Sequence, residues 1–455
     1  MRIVIIGGGY VGLVSGACLA ALGADVAIVE SNPARYGMLC EGRMPIYEPG
    51  LEDLVGEMSA AGRLRFLPHI SVAQDADIIC LAVGTPAQHG DGHADLSHVF
   101  SAVEETARHL RHPTLFVTKS TVPVGTGRRI ADMFAQTCPG VSVRVASNPE
   151  FLREGAALAD FMNPDRIIVG ANDPDSADLL AALYAPLTQR GIPLLRTGLE
   201  AAELIKYAAN GFLAMKISFI NEMADICEKI GSDITEVAQG IGMDKRIGTQ
   251  FLQAGPGFGG SCFPKDTQAL MRIAQDAGAP SRLIEAVTGV NDARKAAMAS
   301  RIIGACGGVV RGKRIAMLGL TFKANTDDIR ESPAISIVRR LVDEGAQMQV
   351  FDPAGMGHAR FQLASSVKFH DSAADALSGA HVAIFATEWS ELARLTPEQL
   401  KQKMTGRVIV DLRNMLDQAS FLGAGFAYHG IGRSTKIFNI FADTQAVTTD
   451  ARLTA

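Results

Sequence analysis

Residues 2–6 are an apolar run, Arg-Ile-Val-Ile-Ile, that breaks into three glycines. A short apolar run of this kind predicts a strand. Residues 13–22 then place Ala, Leu and Gly on a helical period, and Gly23 ends that helix. Residues 25–29 read as a second strand ending at Glu30. Further apolar strands at 78–83, 115–119 and 143–146 alternate with helical segments, the pattern of a parallel α/β domain. From Leu199 to Lys229 apolar residues recur at helical spacing until Gly231. At about 1.5 Å per residue such a helix runs roughly 45 Å, long enough to join two domains. Beyond Gly312 the strand–helix alternation returns, with strands at 314–319, 348–351 (ending at Asp352), 381–386 and 408–410 (ending at Asp411).

The expected fold is therefore α/β, with two Rossmann-like doubly wound domains joined by a long central helix. Residues 1–198 would bind a dinucleotide, 199–300 form a central helical and dimerisation domain, and 301–455 a second Rossmann-like domain. The polar stretch from about Ala442 is expected to fray.

A chain of 455 residues exceeds one hydrophobic core. Its 47% hydrophobic and 20% charged residues are ordinary for a soluble globular protein. A net charge of −5 without a basic run argues against a nucleic-acid partner. An anionic ligand would have to be held by local Lys and Arg. The seven cysteines are odd in number, scattered and without a CxxC pair, which speaks against a disulfide framework or zinc site and for a reducing, cytoplasmic compartment. No apolar stretch is long enough to span a bilayer, and the opening run leads straight into a glycine loop, as a strand does and a signal peptide does not.

Gly7-Gly8-Gly9-Tyr10-Val11-Gly12 has the G-x-G-x-x-G spacing between strand and helix. In a dinucleotide site Gly7 makes the turn, Gly9 admits the pyrophosphate and Gly12 allows close helix–strand packing. Glu30 stands where it would accept from the adenosine ribose hydroxyls and repel a 2′-phosphate, which favours NAD over NADP. Arg35 lies close by in sequence. The strand-end segments 83–86, 119–123 and 148–154 carry small polar or carboxylate residues. Turn chemistry accounts for Thr85-Pro86 well and for Glu150 with Glu154 less well. His89, His93 and His98 surround an Asp-Gly turn and read as a solvated loop, so no metal is expected.

Residues 255–266 read Gly-Pro-Gly-Phe-Gly-Gly-Ser-Cys-Phe-Pro-Lys-Asp. Glycine lets another molecule approach the main chain beside Cys262. Lys265 places a cation near the sulfur, favouring thiolate, and Asp266 is close enough to act as acid or base. Covalent catalysis is one reading; a glycine turn around a buried, inert cysteine is the other. Lys206 and Asn210, four apart, share a helix face. Lys206 either snorkels to water or stabilises an oxyanion or phosphate. The first loop of the second domain, 319–331, lacks G-x-G-x-x-G and offers Lys323 and Arg330. It suits a different anionic ligand, such as a nucleoside diphosphate, or is a solvated loop with compensating charges.

Residues 7–12, 119–126, 148–154, Lys206 with Asn210, 255–266 and 319–331 together resemble the UDP-glucose/GDP-mannose dehydrogenase family, over residues 1 to about 435. The resemblance implies oxidation of a nucleotide sugar's C6 alcohol to a carboxylate with two NAD per turnover. UDP-glucose is the expected substrate, and GDP-mannose or a UDP-N-acetylhexosamine the alternative. Asp266, with a water near Thr121 and Lys206, would help remove the hydroxyl proton. Cys262 would capture the aldehyde as a thiohemiacetal that becomes a thioester. Lys206 and Asn210 would stabilise oxyanions, and Glu150 or Glu154 would serve the hydrolytic water.

The same resemblance assigns the nucleotide sugar to Glu150, Phe151, Leu152, Lys206, Asn210, Phe251, Gly259, Cys262, Lys323 and Arg413. Asn414 stands where animal members often carry a second arginine. Arg246 matches an arginine that reaches a neighbouring subunit's site, so a homodimer or larger homo-oligomer is expected, with the long helix at its core. Cofactor contacts would come from Gly7, Gly9, Tyr10, Val11, Gly12, Glu30, Arg35, Thr85, Thr121, Glu154, Lys265 and Arg330.

Overall fold

The computed structural model describes residues 1–88 and 92–433; His89 and the tail from Ala442 lie outside the described residues. The chain divides into two compact units. One holds Met1–Phe212, Ser261–Glu285 and Asn325–Asp327, and the other Leu213–Gly260, Ala286–Ala324 and Asp328–Ala455.

The first unit is built on eight strands: β1 (Arg2–Ile6), β2 (Asp25–Val29), β3 (Leu64–Leu67), β4 (Ile78–Leu81), β5 (Thr114–Thr118), β6 (Val143–Ser147), β7 (Ile167–Ala171) and β8 (Leu194–Thr197). Their order is β3-β2-β1-β4-β5-β6-β7-β8. Ile3 of β1 faces Val26 on one side and Ile78 on the other, so the chain reverses direction of sheet growth between β1 and β4. In open α/β sheets ligands bind at such a switch point. Every residue of β4 and β5 is buried, which is why their sequences do not alternate. Phe116 on β5 meets Phe134 edge-on at 5.0 Å between ring centroids. Truncating either to Ala would cost about 3–5 kcal/mol.

The sheet is not purely parallel, because β7 pairs antiparallel with β6. Strands β3, β7 and β8 were not foreseen from the hydrophobic pattern. Strands β3 and β8 lie at the two edges, where partly exposed residues dilute the apolar signal.

The second unit repeats the theme with β9 (Arg314–Leu318), β10 (Gln347–Phe351), β11 (Lys368–Phe369), β12 (Val382–Phe385), β13 (Val408–Asp411) and β14 (Ala427–Gly430). These strands are parallel throughout, in the order β11-β10-β9-β12-β13-β14. Ile220, Ala224, Met298 and Ile302 pack into the same buried cluster as Ile315, Met317, Val338 and Leu341.

The long helix spans Leu199–Ile230, within one residue of the expected end. Glu200 in its first turn and Lys229 in its last oppose the helix dipole favourably. Leu204, Phe212, Phe219, Ile226 and Ile230 on this helix are exposed. Their spacings of seven or eight, then four, place them on one stripe. No helix among the described residues is long and apolar enough to cross a membrane. All seven cysteines are free.

Candidate active site

In the first unit the glycine loop joins β1 to the helix Tyr10–Ala21. A Cβ on Gly12 would lie 1.8 Å from the Gly7 carbonyl oxygen, and one on Gly7 2.6 Å from that of Ala82. Neither position tolerates a side chain. A Cβ on Gly9 would meet open space instead. Gly9 caps the helix without a side-chain hydrogen bond, so the amides of the first turn face that opening. Glu30 is buried at the end of β2 and accepts from Asn32 N–H at 2.8 Å. Arg35 is exposed on the next helix, Pro33–Cys40. Thr85 turns its hydroxyl onto the Thr121 carbonyl at 2.8 Å.

The ionisable cluster forms where three segments of this unit meet. Lys206 and Asn210 come from the long helix, Glu150 from the segment after β6, and Cys262 and Asp266 from the start of the helix Phe263–Asp276. Lys206 Nζ donates to the Glu150 carbonyl at 2.7 Å and to Glu150 Oε1 at 3.1 Å, and lies 5.4 Å over the Phe151 ring. Glu150 also accepts from Leu152 N–H at 2.6 Å. Asn210 Nδ2 donates to Asp266 Oδ2 at 2.6 Å. Burial alone would lower the pKa of Lys206. The charges of Glu150, Cys262 and Asp266 and the hydrogen bond to Glu150 reverse this and hold it above its ordinary value.

Cys262 caps its helix, and Pro264 in the first turn fixes the backbone there. Burial pushes the thiol's pKa up, against the pull of Lys206 and of the Ser261 hydroxyl. The sequence had set Lys265 beside the sulfur. Lys265 Nζ bonds Asp266 Oδ1 at 2.6 Å, and a second cation, Lys206, pulls the thiol's pKa down. A lysine in the first helical turn reaches its neighbouring carboxylate, whereas Lys206 arrives from another helix.

Glu154 Oε1 accepts from Ser261 Oγ at 2.9 Å, and Ser261 Oγ is 3.5 Å from Cys262 Sγ. Its other oxygen accepts from Thr326 Oγ1 at 3.2 Å.

Two carboxylates were missed. Glu48 accepts from the Tyr10 hydroxyl, from Gly155 N–H at 2.6 Å and from Ala157 N–H at 2.7 Å, tying the glycine loop to the Glu154 segment. Glu203 accepts from Gly125 and Gly127 N–H. Burial pushes its pKa up to about 7, while those two amides and Arg128 pull it down and Glu200 adds to the rise. The signal for Glu203 was present, an acid one turn before Lys206 in an otherwise apolar stretch. Glu48 had none.

The second unit holds Arg246, Phe251, Gly259, Lys323, Arg330 and Arg413. Arg413 donates to the Phe322 carbonyl at 2.6 Å and the Ala386 carbonyl at 2.9 Å, and pairs with Glu388 at 3.1 Å. Lys323 Nζ lies 5.3 Å from the Phe322 ring. A Cβ on Gly259 would lie 2.3 Å from the Glu331 carbonyl oxygen. Phe251 adopts left-handed φ (63°). Arg330 pairs with Asp328, and Arg246 with Asp244 on the surface. Asn221, Asn291 and Arg294, also missed, hold the glycine run by bonds to Gly255 N–H (2.8 Å), Phe258 N–H (2.8 Å) and the Gly255 carbonyl (2.6 Å). Asn414 bonds both to and from Ile431 of the backbone. Among the described residues no group of His, Cys, Asp and Glu is placed to hold a metal.

Three family models match the chain. They are the UDP-glucose/GDP-mannose dehydrogenase family's NAD binding domain at residues 1–188, its central domain at 200–293 and its UDP binding domain at 316–418. A UDP-glucose 6-dehydrogenase of Rhizobium meliloti (strain 1021) is 49% identical over 436 residues, 95% of this chain and 100% of that protein. The chain belongs to the UDP-glucose/GDP-mannose dehydrogenase family. A UDP-glucose 6-dehydrogenase of Rickettsia conorii (strain ATCC VR-613 / Malish 7) is 43% identical over 95% of this chain and 99% of its own. Among solved structures, a UDP-glucose dehydrogenase of Pyrobaculum islandicum is similar at TM-score 0.88 and 39% identity, covering 95% of this chain and 98% of its own. A UDP-D-ManNAc dehydrogenase of Pyrococcus horikoshii follows at 0.84 and 25%, covering 95% and 99%.

The first unit fits the cofactor that the family's N-terminal domain binds. Open space over Gly9, an uncapped helix start and a carboxylate at the end of β2 are the features a dinucleotide requires. The chain is an NAD-dependent dehydrogenase of this family.

Proposed function

We propose that the protein oxidises UDP-glucose to UDP-glucuronate in two two-electron steps through a covalent intermediate on Cys262. The observation that carries this reading is the convergence of Cys262, Lys206, Asn210, Asp266 and Glu150 in the first unit. The named activity of relatives 43–49% identical over 95% of the chain supports the substrate.

NAD, when bound, supplies the hydride acceptor for both oxidations. The protein's own residues supply the rest. Asp266, already hydrogen-bonded to Asn210, takes the C6 hydroxyl proton through a water near Thr121. The first hydride leaves C6 to give an aldehyde. The Cys262 thiol then releases its proton to solvent as its sulfur bonds to the aldehyde carbon, and the carbonyl electron pair moves to oxygen, where Lys206 and Asn210 stabilise it. Loss of a second hydride from C6 converts this thiohemiacetal to a thioester. Water oriented by Glu150 or Glu154 adds to the thioester carbon, the C–S bond breaks and the thiol is restored. One alcohol and one water give one carboxylate, two hydrides and three protons.

UDP is assigned to the second unit, with Lys323 and Arg413 as its cations. The exposed stripe Leu204, Phe212, Phe219, Ile226 and Ile230 supports a homo-oligomer packed on the long helix. The free, scattered cysteines support a cytoplasmic enzyme.

The test is NADH formed per UDP-glucose consumed with the sugar limiting. A ratio near two is expected, as the two-step chemistry requires. A ratio near one means aldehyde release and defeats the covalent role. No turnover moves the substrate to GDP-mannose or a UDP-N-acetylhexosamine.

A further inference from the structure

Glu203 takes no part in the chemistry above, yet it is buried to 3% exposure on the long helix, one turn before Lys206. Leaving a carboxylate there is costly unless its oxygens are hydrogen-bonded. Its two oxygens accept from Gly125 N–H at 2.6 Å and from Gly127 N–H at 2.7 Å. These amides open the helix Thr126–Thr137, whose own cap residue Gly125 has φ +90° and no side chain to bond them. Glu203 therefore caps one helix from another, at the end where the helix dipole favours a negative charge. The fit is close: a Cβ on Gly127 would lie 3.1 Å from Glu203 Oε1 and 3.3 Å from Leu199 Cδ2.

The capped helix follows the loop that carries Thr121. The strand side of that loop is fixed separately. Ser120 Oγ donates to the Leu81 and Val83 carbonyls at 3.2 and 2.7 Å, and Thr85 Oγ1 donates to that of Thr121. On the helix side Leu199 also packs beside Gly127, and a surface ion pair joins Arg128 to Glu200 at 2.5 Å. Such pairs hold little.

We propose that Glu203 is a positioning residue for the oxidation, fixing the Thr121 loop to the helix that carries Lys206 and Asn210. This rests on the roles assigned to those residues under Proposed function. A small displacement of a reacting group costs rate far more than it costs binding.

A double-mutant cycle tests it. Glu203→Gln, which leaves one acceptor for two amides, is expected to lower kcat for UDP-glucose ~10-fold. KM for UDP-glucose and for NAD should stay within about 2-fold. In a Thr121→Ala background the same change should cost less than about 2-fold, because the loss acts through Thr121. Losses that multiply, or an unchanged kcat in Glu203→Gln, overturn the proposal. Should Glu203→Gln not fold, Gly127→Ala crowds the same carboxylate and is run through the same cycle. Non-additivity with Thr121→Ala is again expected, and independent losses overturn the proposal. Amide exchange across residues 119–127 needs no substrate and should quicken in Glu203→Gln. A wild type that leaves UDP-glucose untouched defeats the functional reading alone, whereas unchanged exchange defeats the anchor.

Discussion

The first strand of each sheet ends in a loop, and the two loops use the same topology in opposite ways. After β1 the chain turns through Gly7–Gly12 and is helical again by Tyr10. After β9 it makes a long loop before the helix Pro333–Asp343 begins. The carboxylates at the ends of the neighbouring strands diverge accordingly. Glu30, after β2, accepts from Asn32 N–H at 2.8 Å. Asp352, after β10, accepts from Leu320, Thr321, Ala354 and Gly355 N–H, with the Thr321 hydroxyl and the Trp389 indole also within reach. At 1% exposure it is an internal strut of its loop. Glu30 bonds the backbone through one oxygen, whereas Asp352 spends both of its oxygens on holding up the loop that carries Lys323 and Arg330. The two sheets share a strand order around β1 and β9 and differ in how this one carboxylate is used.

That contrast breaks most readily at Gly12. Gly12→Val should abolish NAD binding and cut kcat/KM for NAD at least ~100-fold, since a side chain there collides with Gly7. UDP binding, measured by calorimetry on the same variant, should change less than about 2-fold if the sheets bind independently. Next in size is Asp352→Ala. It strands several buried amides and should cost about 3 kcal/mol or more in urea unfolding, whereas Glu30→Ala should cost under about 1 kcal/mol.

Glu203 sharpens the contrast between a well-supplied carboxylate and a sparsely supplied one. Its pKa rises from 4.5 unfolded to about 7 folded, so across that window the native state holds a proton that the unfolded chain has released. Stability therefore falls as pH rises from 4.5 through 7, by about 2 kcal/mol between pH 5 and 7. Glu203→Gln should flatten that part of the profile in denaturant titrations at the two pH values. The smallest effect is on cofactor choice: Glu30→Ala should narrow the preference for NAD over NADP about 10-fold, the worth of one charged hydrogen bond. An unchanged ratio of kcat/KM values would move selectivity to other residues.

The inner strands of the two sheets, the glycine loop and the long helix were legible because each is written as a local period or a fixed spacing, whereas β3, β7, β8, β11 and β14 were not. Lys206 with Asn210 was legible for the same reason, since four residues is one helix turn. What escaped depends on distant segments. The cation Lys206 reaches Cys262 electrostatically from a helix more than fifty residues away in the chain. The inward use of Asp352, and the support that Asn221, Asn291 and Arg294 give the glycine run, join residues far apart in sequence. The antiparallel β7 escaped because a strand's direction is not encoded in its own composition.

The raised pKa of Cys262 also bears on how the protein ages. Peroxide attacks thiolates far faster than thiols, and the product climbs irreversibly once past the sulfenic acid. A thiol whose pKa burial holds above its ordinary value is spared that attack at rest, although the charge of Lys206 pulls the other way. Inactivation by hydrogen peroxide should accelerate steeply with alkalinity, and a rate flat across pH 6–9 would contradict it. The desolvation that raises this thiol's pKa should thus also slow its oxidation.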